Sequence, residues 1–267
     1  LCLVGESGCG KSVTSRAFIQ IIRKPGKLIS GSMMYHLQKD DGTDEIIDLA
    51  QLDPKGHAIR RIRGQEIAMI FQEPMTSLNP GLRIGEQIAD LVENEATIQT
   101  GVGRIPNSVF PYLMNKRDLG IHTETFTDGI IDLIEAGVVT CKKKTLHPGK
   151  IIASFCMGTK RLYEYVDNNP LFEFHPCQYV NNPYIISRND KMISINSALT
   201  VDLTGQVCSD SLGFLFYSGI GGQVDFVRGS AMSRRGKSIM TLPSTTDDGK
   251  NSRIVPYLSP GSGVVVT

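Results

Sequence analysis

No apolar run in this chain approaches the roughly 18 residues that a membrane-spanning helix needs, and no signal-peptide pattern is present. An excess of charge of one sign is also lacking, since a formal net charge of +1 gives no electrostatic argument for binding nucleic acid or an anionic membrane. The cysteines form no C-x-x-C pair, which argues against a zinc site or a disulfide framework. We therefore expect a cytoplasmic protein with buried thiols and no nucleic-acid partner.

The bulk composition is that of a globular chain. Hydrophobic residues make up 40% and charged residues 21% of the 267 positions, which provides enough apolar material for a core. This length suits one large domain or two ordinary ones. Because the chain begins on Leu1 inside an apolar run and stops at GVVVT, we expect a fragment cut at both ends.

A nucleotide-binding loop stands near the start of the chain. GESGCGKS fits the pattern G-x-x-x-x-G-K-[ST], between a predicted strand at 1–4 and helical spacing over 12–23. Glycines let backbone N–H groups turn toward phosphate oxygens, assisted by the dipole of the following helix. Lys11 would reach the β- and γ-phosphates, and the Ser12 hydroxyl would ligate Mg²⁺. The predicted nucleotide-binding residues are Gly5, Glu6, Ser7, Gly8, Cys9, Gly10, Lys11 and Ser12.

Residues 1–90 resemble the nucleotide-binding subunit of ABC importers, especially the oligopeptide and dipeptide branch. Besides the glycine loop, IAMIFQEPMTSLNP at 67–80 carries this resemblance, and Gln72 falls at the glutamine that touches Mg²⁺ in that family. A predicted strand at 66–71 delivers this side chain at its carboxyl end, where ligands of α/β sheets collect. The resemblance implies bound ATP, Mg²⁺ held by Ser12 and Gln72, and a membrane permease as partner.

Two parts that ATP hydrolysis needs are not found downstream. ABC ATPases use a second apolar strand that ends in an aspartate for Mg²⁺ with a glutamate base after it, and an L-S-G-G-Q signature. An isoleucine interrupts the nearest signature candidate, YSGIGGQVDF at 217–226, and Pro243 separates the apolar run of SIMTLPSTTDD from its aspartates. We therefore expect residues 1–90 to form a partial P-loop NTPase fragment that does not turn ATP over.

From residue 91 to 267 the chain resembles the carboxyl-terminal half of the acetyl-CoA hydrolase/CoA-transferase family. Within that family the segment looks like a 4-hydroxybutyrate or a butyryl-CoA:acetate CoA-transferase. Long blocks in family order carry the resemblance, among them GVGRIPNSV, DLGIHTETFTDGIIDLIEAGVVT, SINSALTVDLTGQVCSD and YSGIGGQVDFVRG. No Pro/Ser-rich linker precedes this segment. The sequence thus predicts two domains that join near residue 90.

Strand-like and helical runs alternate along the second segment. Strands are predicted at 97–100, 119–123, 151–155 and 239–242, and helices at 106–114, 128–136, 160–168 and 224–233. This alternation predicts an α/β fold with a mostly parallel sheet covered by helices. Glu124 then follows the carboxyl end of a strand, where open α/β sheets collect their chemistry.

The resemblance implies a covalent mechanism for this segment. Glu124 of the HTE block falls at the family's nucleophile, which forms a glutamyl-CoA thioester, and Gly222 would supply an oxyanion donor from its N–H. Two glycine blocks and the SINSAL stretch would bind the substrate coenzyme A. His122 and His147 are interpreted as structural or as lining the pocket, because an ionised nucleophile needs no base. The predicted CoA-binding residues are Gly101, Val102, Gly103, Arg104, Ile105, Asn196, Leu199, Gly219 and Gly221.

Three hypotheses remain open at this stage. The first is a CoA-transferase that takes an acyl-CoA and a small carboxylate and forms homo-oligomers when complete. The second is an ATP-binding module of a peptide importer. The third is a non-functional junction of two gene pieces, which DNA sequencing across codons 80–100 would test. The greater length of the transferase-like segment favours the first.

Overall fold

The structure is a computed structural model, which describes residues 10–22, 24–38, 44–67, 79 and 81–267. The chain divides into two compact units, Leu1–Leu78 and Asn79–Thr267. The helix Ile84–Asp90 belongs to the second unit, so the structural division precedes residue 90. The predicted domain boundary at residue 90, which marks a change of family resemblance, stays a prediction.

Among its described residues, the first unit has two helices and a two-stranded antiparallel sheet. Its elements are α1 (Lys11–Phe18), β1 (Met34–Gln38), β2 (Asp44–Asp48) and α2 (His57–Gln65), with a 3-10 turn at Leu49–Gln51. Leu49, Ile59 and Ile62 form its buried core. The helix expected over 12–23 is shorter than predicted, because a left-handed residue, Gln20, follows it.

A P-loop NTPase fold is not confirmed for the first unit. The strand expected at 1–4 lies outside the described residues, as does most of the one expected at 66–71. Arg63 ties the two helices together by donating to the carbonyls of Ile19 (2.6 Å) and Gln20 (2.9 Å).

The second unit is built on a six-stranded sheet with the order β12-β7-β3-β4-β5-β6, and every neighbouring pair is parallel. The prediction of an α/β fold with a mostly parallel sheet is confirmed here. Since parallel strands are covered on both faces, they read as nearly continuous apolar runs. The strands are β3 (Thr97–Thr100), β4 (Gly120–Phe126), β5 (Ile151–Cys156), β6 (Phe172–Phe174), β7 (Met192–Ser197) and β12 (Lys237–Thr241).

Helices cover this sheet between successive strands. They are α3 (Ile84–Asp90), α4 (Arg104–Val109), α5 (Gly129–Glu135), α6 (Lys160–Val166), α7 (Cys177–Val180), α8 (Pro183–Ile186) and α9 (Gln223–Met232). The helix predicted over 106–114 begins two residues earlier, and its second half is a 3-10 turn at Phe110–Leu113. Pro106 is tolerated because it lies in the first helical turn, where its missing N–H has no partner to lose.

Short strands close the unit after β7. They are β8 (Thr200–Asp202), β9 (Val207–Cys208), β10 (Ser211–Leu212), β11 (Leu215–Phe216) and β13 (Ile254–Val255). Strands β10 and β11 form an antiparallel hairpin. After the hairpin, the backbone N–H groups of Tyr217 and Ser218 both donate to the carbonyl of Asp210, which brings the chain back to the residue before β10. This hairpin leads directly into the second glycine block.

The expectation of buried thiols is met only in part. Cys141 and Cys208 are buried, whereas Cys177 is exposed at the start of α7 and Cys156 is half-buried. The predicted thiol burial is therefore wrong for Cys177, because α7 is a single turn at the surface. No helix within the described part of the chain is long and apolar enough to cross a membrane.

Candidate active site

The carboxyl ends of β3, β4 and β7 meet at one edge of the parallel sheet, and a cleft of about 360 Å³ opens there. Open α/β sheets bind their ligands at this edge. Many of the residues singled out from the sequence line this cleft, although they come from four separate stretches of chain. They are Gly101, Val102, Glu124, Asn196, Leu199, Gly221 and Gly222.

Glu124 presents its carboxylate to the cleft from inside β4. The strand continues to Phe126, so the expectation that Glu124 follows the end of a strand is wrong. The extension comes from β5, which keeps pairing with Thr125 and Phe126. Because side chains alternate along a strand, Glu124 shares a face with His122.

Two donors hold the Glu124 carboxylate. Nδ2 of Asn181 donates to Oε1 at 3.0 Å, and the backbone N–H of Gly222 donates to Oε2 at 3.0 Å. Hydrogen bonds to an ionised acceptor are stronger than those between neutral groups. These two donors thus fix the orientation of the carboxylate.

Gly222 leaves room for this contact only because it has no side chain. A Cβ at position 222 would lie 2.6 Å from Nδ2 of Asn181 and 2.9 Å from Oε2 of Glu124. Gly222 is also the N-cap of α9, so its N–H belongs to the amino end of that helix. The dipole of α9 therefore favours negative charge at the carboxylate.

Asn181 is a site residue that the sequence reasoning missed. It follows the last residue of α7, and its N–H bonds to the carbonyl of Cys177 at 2.8 Å. Its Oδ1 is buried without a hydrogen-bond partner among the described residues. The NNP run after a short helical pattern signals a polar turn. Nothing in the sequence links that turn to Glu124, which lies 57 positions away.

His122 holds the same turn through a hydrogen bond to its backbone. It is fully buried, and its Nε2 lies 2.9 Å from the carbonyl oxygen of Val180, to which it donates. Burial lowers the pKa of His122 to about 3, so the ring is neutral and Nδ1 faces the amide of Asn189. His122 therefore holds the residue before Asn181 and is structural.

His147 lies outside the lining of the cleft. Its Nε2 is 2.6 Å from the hydroxyl of Tyr179, and burial together with Lys144 lowers its pKa. The interpretation of His147 as structural agrees with this contact.

Asp225 is a second residue that the sequence reasoning missed. It lies in the first turn of α9 and lines, together with Asn181, a separate cleft of about 420 Å³. Burial raises the pKa of Asp225, the charge of Arg228 opposes this shift, and the charge of Glu124 adds to it. Asp225 is therefore close enough to sense the Glu124 carboxylate.

Asn196 lies in the floor of the cleft with a partner that the sequence did not indicate. Gln99 and Asn196 exchange two hydrogen bonds between their side-chain amides, at 2.9 and 3.1 Å, and both residues are buried. Gly101 extends the ladder between β3 and β7, because its N–H bonds to the carbonyl of Ile195 at 2.8 Å.

Three of the other predicted CoA-binding residues, Gly103, Ile105 and Gly219, do not line the cleft. Gly103 is the N-cap of α4, Arg104 is its first residue, and Ile105 packs against the hydrophobic core. Gly219 lies between Ser218 and Ile220, which do line the cleft. A role of these four residues in binding CoA stays a prediction.

The predicted ATP site is described only at its end. Gly10 has a left-handed backbone (φ 91°), and Lys11 and Ser12 begin α1. Residues 5–9 and Gln72 lie outside the described residues, so no geometry joins Ser12 to Gln72. Within the described ranges, no group of three or more His, Cys, Asp or Glu could hold a metal ion.

Comparison with known proteins bears on both segments. Residues 158–267 match the model of the acetyl-CoA hydrolase/transferase C-terminal domain. The chain is 54% identical over 184 residues to 4-hydroxybutyrate coenzyme A transferase of Clostridium kluyveri, covering 69% of this chain and 43% of that protein. It is 48% identical over 219 residues to succinyl-CoA:cyclohexane-1-carboxylate CoA transferase of Geobacter metallireducens, covering 79% and 50%. This chain therefore spans half or less of these relatives.

Solved structures show the same likeness. RipA from Yersinia pestis matches with a TM-score of 0.62 and 44% identity, over 68% of this chain and 40% of that chain. A 4-hydroxybutyrate CoA-transferase from Porphyromonas gingivalis matches with a TM-score of 0.59 and 47% identity, over 67% and 42%. The predicted resemblance to CoA-transferases is confirmed, and within the second segment residues 158–267 match the model of the family's carboxyl-terminal domain.

The resemblance to a peptide importer is also confirmed, over a shorter stretch. The chain is 50% identical over 91 residues to a protein of Brucella ovis named as a peptide import ATP-binding protein. That match covers 34% of this chain and 25% of the relative. The chain thus combines parts similar to two different classes of protein.

Proposed function

We propose that the second unit is the catalytic half of a CoA-transferase, which moves CoA between an acyl-CoA and a small carboxylate through Glu124. One observation carries this proposal: the carboxylate of Glu124 reaches a cleft while the Asn181 amide and the Gly222 N–H hold its two oxygens, each at 3.0 Å. Relatives named as CoA transferases support it.

The proposed reaction is a series of balanced displacements. A carboxylate oxygen of Glu124 bonds to the acyl carbonyl carbon, the thioester C–S bond breaks, and the electron pair leaves on the CoA thiolate. The thiolate then bonds to the glutamyl carbonyl carbon of the mixed anhydride and releases the donor carboxylate. The acceptor carboxylate opens the resulting glutamyl-CoA thioester by the same two steps in reverse order. No proton moves, so no base is required, and a neutral, buried His122 is compatible with this course.

The two donors on Glu124 have a second role in this scheme. When the glutamyl carbonyl carbon is attacked, negative charge develops on an oxygen that started as a carboxylate oxygen. Preoriented donors stabilise such an oxygen without rearranging, which is the usual basis of an oxyanion hole. Gly222, whose N–H already points at Oε2, is the proposed oxyanion donor.

Trapping the intermediate tests the proposal. Because the resemblance is to a carboxyl-terminal half, the amino-terminal half of the Clostridium kluyveri relative is supplied by fusion, so that water is excluded from the anhydride. The fused protein is incubated with acyl-CoA, reduced with borohydride and mapped by mass spectrometry. We expect reduction of the Glu124 side chain, and none in Glu124→Gln, which keeps the size but removes the nucleophile. Modification of another residue, or full transfer by Glu124→Gln, would refute the proposal.

A second function is proposed for the first segment because of the 91-residue likeness to an ATP-binding protein. The segment binds ATP and Mg²⁺ through the loop that ends in Lys11 and Ser12, without turnover, and the partner expected for it is a membrane permease. Titration with a fluorescent ATP analogue measures binding, and Lys11→Ala removes the cation expected on the phosphates. Equal affinity of Lys11→Ala and the parent chain, or phosphate release that depends on Lys11, would contradict this function.

A further inference from the structure

We propose that Gln99 and Asn196 form an amide clamp that sets the shape of the glycine loop at residues 101–103, and that Gln99 is thereby a positioning residue of the CoA-binding cleft. The inference rests on the proposed function, since that function makes this cleft a CoA site. The amide pair fixes the backbone of this loop, and Gln99 takes part in it by holding the Asn196 side chain.

The clamp is a closed pair of amides at the ends of two neighbouring strands. Nε2 of Gln99 donates to Oδ1 of Asn196 at 2.9 Å, and Nδ2 of Asn196 donates to Oε1 of Gln99 at 3.1 Å. The two residues are 5% and 4% exposed, so the pair is largely shielded from water. Because each amide uses both its oxygen and its nitrogen on the other, the two amide planes fix each other.

The backbone of Asn196 is fixed as well. Its carbonyl accepts from Oγ1 of Thr241 at 3.0 Å, and Thr241 belongs to the neighbouring strand β12. Asn196 therefore has little freedom in either its side chain or its main chain. It presents a rigid surface at the edge of the sheet, directly beside the start of the loop.

The glycine loop lies against this surface. A Cβ at position 101 would be 2.8 Å from Oδ1 of Asn196, and one at position 103 would be 2.9 Å from Oγ of Ser197. Gly103 also has a φ of 148°, which residues with side chains rarely adopt. The side chains of β7 that lie against these two positions thus require glycine there, whether or not a ligand binds.

The glycine loop forms part of the lining of the cleft. Gly101 and Val102 both line the cleft, and Val102 is half-exposed. Since Gln99 holds the Asn196 amide and that amide limits the position of Gly101, Gln99 controls how closely the loop can approach a ligand. The pair is neutral, so this control does not depend on the ionisation of either partner.

A double-mutant cycle on the full chain tests the contact between clamp and loop. Gly101→Ala is measured alone and in the Asn196→Ala background by thermal unfolding and by hydrogen exchange of the 101–103 amides. We expect Gly101→Ala to raise exchange of these amides about tenfold alone and to have little effect once Asn196 is shortened, because coupling between contacting residues is not additive. An equal effect in both backgrounds would overturn the inference.

Variants of Gln99 test its positioning role. Gln99→Leu leaves the Asn196 amide unpaired, and we expect faster exchange at 101–103 and about tenfold weaker CoA binding, while the amides of β4 stay protected. The exchanged pair Gln99→Asn with Asn196→Gln restores an amide opposite an amide and should recover the slow exchange at 101–103. If Gln99→Leu fails to fold, the isosteric Gln99→Glu, which sets an acceptor against Oδ1 of Asn196, takes its place.

The readouts separate this inference from the proposed function. If the parent chain, with its amino-terminal half supplied, binds no CoA, the proposed function fails while hydrogen exchange still decides whether the clamp holds the loop. If CoA binds but Gln99→Leu changes neither the exchange at 101–103 nor the affinity, the clamp is refuted and the proposed function stands.

Discussion

Nδ2 of Asn181 lies 3.0 Å from Oε1 of Glu124, although 57 positions separate the two residues in the chain. The contact joins the end of α7 to the middle of the sheet. His122, two residues before Glu124 on the same strand, bonds to the carbonyl of Val180 just before Asn181. Strand β4 thus holds this turn at two points, and one of these is the proposed nucleophile.

The first prediction is that a negative charge at position 181 slows transfer. Asn181→Asp replaces the amide that donates to Oε1 of Glu124 with a second carboxylate, which repels Glu124 and cannot donate when ionised. Transfer by the fused protein should therefore fall about 10²-fold near neutral pH, as for loss of one donor at the reacting carboxylate. Initial rates from pH 5 to 9 measure this.

The neighbouring Asn182→Asp is the matched control. Asn182 accepts from the N–H of Tyr184 at 2.9 Å and caps α8, a role that aspartate keeps. Its pH profile should match that of the parent. If Asn181→Asp also matched the parent, the amide of Asn181 would not be part of the site.

A side chain at position 222 is the second prediction. Gly222→Ala puts its Cβ against Nδ2 of Asn181 and Oε2 of Glu124, so either the donor N–H or the carboxylate must move. We expect a loss on the order of 10² in kcat with little change in KM for acyl-CoA, as for removal of one oxyanion donor. Met232→Ala, at the exposed far end of α9, is the control. A change in KM alone would assign Gly222 to ground-state binding.

The sequence predicts the sheet and part of the site for physical reasons. Parallel strands buried on both faces produce apolar runs, and glycine blocks mark places where the backbone passes close to other groups, as at Gly101 and Gly222. Asn181, Gln99 and Asp225 were missed because their roles depend on partners far away in the chain. Gln99 and Asn196, for example, are 97 positions apart. Single polar residues carry no periodic signal that would reveal such pairs.

The end of β4 illustrates the same limit. The turn residues after Glu124 predict that the strand stops there, yet pairing with β5 carries it on to Phe126. Tertiary pairing overrides the local turn signal.

Acid sensitivity from His122 is the third prediction. Below pH 6.5 the unfolded chain binds a proton at this position, whereas the folded chain does not until pH falls to about 3. The stability of the second unit should therefore decrease as pH falls across this window, by about 5 kcal/mol at most. His122→Gln keeps a donor for the carbonyl of Val180 and should flatten this dependence, while His36→Gln, at an exposed site in the first unit, should not. Urea unfolding between pH 7 and 4 measures it, and an unchanged slope in His122→Gln would contradict the assignment.

The buried amine of Lys144 gives the last prediction, on the alkaline side. Nζ of Lys144 donates to the carbonyls of Ile121 at 2.8 Å and Lys150 at 2.9 Å, and burial lowers its pKa to about 8. Between pH 8 and 10.5 the unfolded chain holds a proton here that the folded chain has released. The contribution of Lys144 to stability should therefore increase with pH across this window, by about 3 kcal/mol at most.

Lys144→Met tests this contribution because it removes the titrating group and keeps most of the side-chain volume. We expect the variant to lose the rise in stability above pH 8 and, at every pH, to be destabilised by the two carbonyls left without a donor. Lys143→Met, at the exposed neighbouring position, should follow the parent curve. Urea midpoints at pH 7.5, 8.5 and 9.5 separate these cases. If the difference in stability between the parent and Lys144→Met stays constant or falls from pH 7.5 to 9.5, the amine stays protonated inside the fold and the prediction is wrong.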